Sequence, residues 1–199
     1  MGEGVSSTPA EDAPDQVAQA VLGVIRTRRV VRRFTAESVD DATLRAILEA
    51  GRWATTGGNR RIHRFLVVRD PATIRLVKAI SPGMLGVPPA LIVICLDIEA
   101  AAQQQVPIER HGSATIDVGT AAMNMMVAAH ALGLGSCPVT SFSRSGMSVL
   151  LELSGRAVPQ LMLLLGHPAP HRRVLRPGAK TRVTIEDLTY WERYGRAVP

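Results

Sequence analysis

The sequence predicts an α+β fold or a three-layer α/β/α sandwich, in which helices cover a central sheet. Segments with helical spacing alternate along the chain with short apolar segments that are typical of strands. Residues 90–96 are continuously apolar and rich in β-branched side chains, which indicates a strand buried on both faces. With 199 residues and 46% hydrophobic content, the chain can build such a core without disulfides. We expect a disordered leader over residues 1–15 and a single domain over residues 16–199.

The N-terminal half of the chain is predicted to contain three helices and one strand. Apolar residues recur at helical spacing in the first helix, and again in a second helix that Asp40 or Asp41 can cap. Four apolar residues followed by an Asp-Pro pair are typical of a strand. A helix is predicted after this pair, and it should end at the Ser-Pro-Gly turn. The predicted ranges are helix 16–27, helix 41–51, strand 65–68 and helix 72–80.

The C-terminal half is dominated by a helix predicted over residues 115–132, which is apolar on nearly every side. Such broad apolarity indicates burial on most sides, which in a chain of this size often means burial against a second subunit. Gly133 and Gly135 mark the end of this helix. The other elements predicted here are strand 90–96, strand 137–139, helix 145–153, strand 160–165 and helix 185–194.

Composition restricts the classes of partner. The excess of 23 Lys and Arg over 17 Asp and Glu gives a net charge of +6, which permits nucleic acid, a membrane surface or a small anion as a ligand. Aromatic residues are only 4% of the chain, which argues against the stacking platforms of single-strand binders. Asn124 and His130 interrupt the best apolar run well before the roughly twenty residues that span a bilayer. Composition alone does not separate nucleic acid or a membrane surface from a small anion. We expect a small-molecule substrate, with no nucleic-acid and no membrane partner.

The cysteines and the other titratable residues indicate no metal site. Cys95 and Cys137 lie in apolar surroundings without redox or ligand spacing, so we expect reduced thiols in a cytoplasmic protein. The leader lacks the charged and apolar regions of a secretory signal. Histidines and carboxylates show no ligand spacing. His130 is expected to be a core histidine bonded to backbone, and Asp117 a structural residue that favours its helix dipole.

Two basic segments have the chemistry to hold a phosphate. Arg28, Arg29 and Arg32 follow the first predicted helix, and Lys180 and Arg182 lie near the C-terminus. The planar guanidinium group bonds two phosphate oxygens at once and stays charged, so arginine suits this ligand. Taken alone, the first segment is better explained as a solvated helix end, and a basic tail is a credible explanation of the second.

In their order along the chain, these segments and two between them resemble the cofactor-binding elements of the FMN-dependent nitroreductase family. The basic run is similar to the family's Arg-Arg-Ser-x-Arg, with Val30 in place of the serine. The loop at 55–61 resembles Pro-Ser-x-x-Asn-x-Gln-Pro-Trp; it keeps Asn59 and has a hydroxyl at Thr56, but loses the proline, glutamine and tryptophan. Residues 138–141 resemble the segment whose backbone N–H groups address flavin N5 and O4.

The resemblance implies FMN as the cofactor and NADH or NADPH as the electron donor. It also implies a three-layer sandwich whose central sheet is mixed but mainly antiparallel, and a homodimer with flavin sites at the interface, since in the family the loop reaches the flavin from the partner subunit. Arg61, in the position of the glutamine, would stabilise negative charge on the reduced flavin. The residues implied to bind the cofactor are Arg28, Arg29, Val30, Arg32, Thr55, Thr56, Gly57, Asn59, Arg61, Pro138, Val139, Thr140, Ser141, Lys180 and Arg182.

Three functions follow from the resemblance. The first is hydride transfer through flavin N5 from NAD(P)H to nitroaromatic or quinone-like acceptors, with no side-chain catalyst named, because the flavin performs the redox step. The second comes from residues 81–88, the strand with Cys95 and Asp97, and residues 135–142, which look like the flavin subunit of cyclodipeptide oxidases. Those enzymes pass electrons to oxygen and require a small second subunit. The third is a non-catalytic flavin-binding protein, because several of the family's usual residues are lost.

Overall fold

The computed structural model of this protein describes residues 13–106, 108, 112–153, 155–170 and 183–195. The chain divides into two units, Met1–Ala169 and Pro170–Pro199. The helices and strands belong to the first unit, as α1 (Ala13–Thr27), α2 (Asp41–Arg52), α3 (Pro71–Ala79), α4 (Ile98–Gln103), α5 (Ser113–Ala131), α6 (Arg144–Leu150), β1 (His63–Val68), β2 (Ala90–Asp97), β3 (Gly135–Val139) and β4 (Ala157–Gly166). A 3-10 turn covers Gly57–Asn59.

Aspartate and serine side chains fix where four helices of the first unit begin, namely α2, α3, α4 and α6. The carboxylate of Asp40 accepts a hydrogen bond from the Thr43 amide at 2.8 Å, and Asp70 does the same for Thr73 at 2.7 Å. Asp97 caps α4 and Ser143 caps α6 in the same way. Each cap satisfies an N–H group that has no partner within its own helix.

The four strands form one sheet in the order β1-β2-β4-β3, and each of its ladders is antiparallel. Val93 of β2 lies opposite Leu66 of β1 and opposite Met162 of β4, at the middle of the sheet. Among the described residues, a parallel pairing occurs at the isolated bridge between Val30 and Ser136. The predicted sheet, mixed but mainly antiparallel, is confirmed in this form.

Alternate residues of β2 pack into two separate cores, because successive side chains of a strand point to opposite faces. Ile92, Ile94 and Leu96 pack on one face with residues of α2 and α5. Leu91 and Val93 pack on the other face with residues of α3 and α6. Helices therefore lie on both faces of the sheet, which confirms the three-layer α/β/α arrangement.

Three expectations about the elements need correction. Helix α1 begins at Ala13, so residues 13–15 are helical and do not belong to a disordered leader. Helix α4 was not predicted; it has only six residues, too few to show a helical repeat. Residues 183–195 form turns in place of the predicted helix 185–194. There the Thr184 amide and hydroxyl both donate to the Asp187 carboxylate, as at the start of a helix, but the apolar residues that follow are exposed, so little packing stabilises one.

Candidate cofactor-binding site

The arginine segment, defined here as residues 28–33, runs from the end of α1 along the open edge of the sheet at β3. The Val31 amide donates to the carbonyl of Ser136 at 2.9 Å. Farther along, the Thr35 amide donates to the His167 carbonyl at 2.9 Å, and the Ala169 amide donates to the Arg33 carbonyl at 3.0 Å. The arginine segment is therefore joined by a backbone hydrogen bond to β3 at Ser136, two residues before the predicted segment at 138–141.

Two glycines allow this close approach. A Cβ atom on Gly86 would lie 2.0 Å from the carbonyl oxygen of Arg32, and one on Gly135 would lie 2.7 Å from Cβ of Val31. Both distances are far below an ordinary contact, so a larger residue at either position would displace the arginine segment. These glycines were not identified from the sequence as site residues, although both lie in stretches that carried a family resemblance.

The guanidinium groups of the arginine segment have positive charge available for an anion. Arg28 is half-buried, and Arg32 is exposed. Arg29 turns back onto α1, where one nitrogen donates to the carbonyls of Arg26 and Arg28, each at 2.8 Å. Within the described part of the chain, the ion pairs involve other cations, namely Arg52, Arg64, Arg69 and His167.

His130 fixes the point where the arginine segment begins. The Thr27 hydroxyl donates to the Gly23 carbonyl at 2.7 Å, so its oxygen accepts from Nε2 of His130 at 2.9 Å. This contact holds the end of α1 on the end of α5. The expectation for His130 was wrong in two respects, because the ring is half-buried and its partner is a side chain.

The predicted segment at Pro138, Val139, Thr140 and Ser141 begins at the end of β3. Since the Ser136 carbonyl faces the arginine segment, the two-residue repeat of a strand turns the backbone of Pro138 and Thr140 toward the same edge. Pro138 has no N–H group, so the donor at this edge is the Thr140 amide, for which the described residues provide no acceptor.

The loop that follows α3 fixes the end of this segment. The Gly83 amide donates to the Ser141 carbonyl at 3.1 Å, and the Ser143 amide donates to the Ile80 carbonyl at 2.9 Å. Beside these bonds lies a cavity of about 360 Å³ lined by Thr140, Ser141 and five other residues. Two of the three stretches that resemble a cyclodipeptide oxidase, residues 81–88 and 135–142, are thus in contact.

The predicted loop at 55–61 is held at its start by α5. Asp117 is only 8% exposed, and its two carboxylate oxygens lie 3.1 and 3.2 Å from the Gly57 amide. The Thr120 hydroxyl lies 3.2 Å from the Thr55 carbonyl oxygen. Asn59 has a φ of 56°, a left-handed conformation that asparagine tolerates better than most residues. The Thr56 hydroxyl is buried, and the described residues offer it no hydrogen-bond partner.

The other end of the loop is held by Arg64. One guanidinium nitrogen donates to the Arg61 carbonyl at 2.9 Å, and another pairs with the Asp97 carboxylate at 2.8 Å. The Arg61 side chain is exposed. Next to it, His63 is buried. Burial lowers the pKa of His63, while the Asp117 carboxylate acts in the opposite direction and Arg64 and Arg61 lower the pKa further.

The predicted cofactor elements fall into two groups within one subunit. Thr27, at the start of the arginine segment, contacts His130, whereas Gly57 contacts Asp117, thirteen positions earlier on α5. A helix rises 1.5 Å per residue, so these two contacts lie about 20 Å apart along α5. The arginine segment and residues 138–141 are brought together, and the loop at 55–61 is not. Lys180 and Arg182 lie outside the described residues.

Other kinds of site find little support in the described part of the chain. It contains no group of three or more His, Cys, Asp or Glu side chains arranged to hold a metal ion. Its helices are also too short or too polar to cross a membrane.

Comparisons with known proteins agree on one family. The sequence pattern described as the nitroreductase family matches residues 25–88 and 78–167. The chain is 28% identical to a protein named NADH dehydrogenase from Thermus thermophilus, over 71% of this chain and 83% of that protein. It is 24% identical to an FMN reductase [NAD(P)H] from Bacillus subtilis, over 87% of this chain and 74% of that protein.

Solved structures show the same fold. The FMN complex of a protein assigned as a nitroreductase from Desulfovibrio desulfuricans is 29% identical, with a TM-score of 0.69, over 95% of this chain and 99% of that one. NfrA1 of B. megaterium, at 23% identity, supports the fold alone, with a TM-score of 0.76 over 88% of this chain and 75% of that one. Because the family pattern covers well over half of its length, this chain belongs to the nitroreductase family.

Proposed function

We propose that this protein is an FMN-dependent oxidoreductase that takes a hydride from NADH or NADPH and passes reducing equivalents to a small acceptor of the nitroaromatic or quinone class. The observation that carries the proposal is the backbone hydrogen bond of Val31 in the arginine segment to Ser136 in β3, which supports a site where guanidinium groups and the free Thr140 amide serve one ligand. A flavin mononucleotide needs both, a cation for its phosphate and a hydrogen-bond donor at the ring. FMN, when bound, supplies the hydride chemistry.

Each part of the site has a separate task in this proposal. Arg28 and Arg32 bind phosphate oxygens. The same role for Lys180 and Arg182 is proposed from the family resemblance alone. The Thr140 amide donates to the ring edge at N5 and O4. Val30 has no hydroxyl group to replace that of the family's serine. In this proposal Val30 contacts the cofactor through its backbone or by apolar packing. No side chain is assigned as a proton donor.

We further propose a homodimer whose cofactor site needs both subunits. Exposed apolar side chains lie on α1, where Val17, Val21 and Ile25 are more than half exposed. Others lie on the outer face of α5, where Ile116 is 66% exposed and Met123 47%. An apolar face of this extent requires a cover. A second copy that covers it would bring its own 55–61 loop to the flavin, which the 20 Å separation within one subunit prevents.

The two cysteines support a cytoplasmic location within this proposal. Cys95 and Cys137 are both buried and unpaired, as expected of a protein that functions in a reducing compartment.

The first experiment is anaerobic stopped-flow absorbance of the FMN-loaded protein, mixed separately with NADH and with NADPH. Rapid bleaching of the flavin band by either nucleotide is the expected result. Bound flavin that neither nucleotide bleaches would favour the alternative, a dehydrogenase of the cyclodipeptide-oxidase type with oxygen as acceptor. If an organic substrate also fails to bleach it, the protein is a non-catalytic flavin carrier. A protein that binds no flavin contradicts all three.

The phosphate site is tested by variants of its cations. The double variant Arg28→Gln and Lys180→Gln should no longer retain FMN. Arg32→Gln alone should weaken FMN binding, whereas Arg33→Gln is a matched control, because adjacent side chains of an extended segment point to opposite sides. Equal effects of the two single changes would mean that net charge, and not a specific contact, holds the cofactor.

A further inference from the structure

Asp117 is a buried carboxylate with a specific partner far away in sequence. It lies in the first half of α5, and the amide that it binds belongs to Gly57, 60 residues earlier. Both of its oxygens are within 3.2 Å of that amide nitrogen. Burying a carboxylate is costly unless it is hydrogen-bonded, so this contact is the physical reason for a charge in an otherwise apolar helix.

The helix itself does not explain Asp117. Helix α5 begins at Ser113 after the N-cap Gly112, and its first turn contains no acidic residue. Asp117 lies in the second turn, beyond the range in which a carboxylate interacts appreciably with the helix dipole. The expectation that it serves this dipole is therefore wrong.

Thr120 adds a second contact from the same face of α5, one turn later. Its hydroxyl lies 2.9 Å from the Asp117 carbonyl oxygen and 3.2 Å from the Thr55 carbonyl oxygen, so its single hydrogen serves one or both. Asp117 thus accepts from the loop, and the Thr120 hydroxyl is shared between the Thr55 carbonyl of the loop and the Asp117 carbonyl of its own helix. The two side chains fix the residues on either side of Thr56.

We propose that Asp117 is a positioning residue for the cofactor, assisted by Thr120: together they hold the loop at 55–61 in the conformation that contacts the flavin. The inference rests on the proposed function, since it concerns the loop's use in flavin binding. Asp117 does not touch the cofactor. It acts through the Gly57 backbone, on the same helix whose outer face carries the exposed Ile116 and Met123.

Three variants and one control test this inference in the full-length protein. Asp117→Ala removes the acceptor, Asp117→Asn keeps an acceptor oxygen without the charge, and Thr120→Val removes the hydroxyl at nearly constant shape. Asp70→Ala is the matched control, because it also removes a carboxylate that accepts from a backbone amide, at the start of α3. FMN affinity is measured by quenching of flavin fluorescence, and loop anchoring by hydrogen exchange of a peptide that contains Gly57.

We expect Asp117→Ala to raise the Kd for FMN about tenfold, as loss of one charged hydrogen bond predicts, and to speed exchange at Gly57. Asp117→Asn should rescue affinity to within about threefold of wild type, because the amide oxygen still accepts. Thr120→Val should give a partial loss, and Asp70→Ala no loss of affinity. A folded Asp117→Ala protein with wild-type Kd and exchange overturns the inference.

The design separates failure of this inference from failure of the proposed function. If Asp117→Ala does not fold, Thr120→Val decides, and wild-type values for both its Kd and its exchange overturn the inference. If the wild-type protein binds no FMN, the proposed function fails, whereas the exchange data still show whether Asp117 anchors the loop.

Discussion

Replacing Gly86 with alanine adds a single methyl group, but this group should displace the arginine segment and destabilise the protein. The added Cβ would lie 2.0 Å from the Arg32 carbonyl oxygen, whereas ordinary contact begins at 3.4 Å, so one backbone must move by about 1.4 Å (3.4 − 2.0). Overpacking of this kind costs about 1–3 kcal/mol. For a chain of this length, about 2 kcal/mol lowers the Tm by roughly 4–8 °C.

Two assays follow from this displacement. Thermal unfolding by circular dichroism measures the stability loss, and flavin fluorescence measures the Kd for FMN, which should rise because Arg32 moves with its carbonyl. Gly23→Ala, in the interior of α1, is the control, since a Cβ there meets no atom within 4 Å. It should be neutral or stabilise by up to about 1 kcal/mol through helix propensity. A Gly86→Ala protein with the Tm and Kd of the wild type would show that the added methyl group moves neither backbone.

Three further predictions concern titratable groups. Burial raises the pKa of Cys95 to about 11, and it also raises the pKa of Cys137, against a smaller opposite effect of Arg32. Neither thiol should therefore react with a disulfide reagent at pH 8 until urea unfolds the protein. Fast labelling of the folded protein would contradict this. Burial lowers the pKa of His63 below its usual 6.5, so the folded state binds this proton less readily than the unfolded state. The free energy of unfolding should therefore be highest above about pH 6.5 and fall as the pH drops through that value, and His63→Gln should flatten the dependence in urea titrations; an equally steep fall in the variant would show that other groups cause it. Arg61→Gln should lower the midpoint potential of bound flavin, because a cation near the ring favours the reduced form, and an unchanged potential in dye-equilibration titrations would end that assignment.

The layered core could be predicted from the sequence because its signals are local. The apolar run at 90–96 has residues suited to burial on both faces, and the structure buries all of them. The same reasoning failed at 185–194, where apolar residues occur at helical spacing but Ile185, Leu188 and Trp191 are more than half exposed, so little packing stabilises a helix. Periodicity predicts an element well only when long-range packing agrees with it.

The candidate site was predictable in its parts and not in its assembly. The arginine segment and residues 138–141 were identified from local sequence, but the pairing of the arginine segment with β3 at Ser136 depends on Gly86 and Gly135. The contact of Asp117 with Gly57 joins residues 60 positions apart, and no local pattern records it. One signal was available, namely an acidic residue in a helix otherwise suited to burial, since such a residue requires a hydrogen-bonding partner.

The arginine segment also has a consequence for folding. Strand β3 lies at an edge of the sheet, and an open edge can pair with other chains and aggregate. Here the backbone of residues 30–31 pairs with Ser136, and Pro138 removes one of the remaining donors. The segment proposed to hold the cofactor thus also protects the chain from intermolecular strand pairing. Sequence changes that release it should therefore produce insoluble protein as well as loss of flavin, which couples selection for activity to selection for solubility.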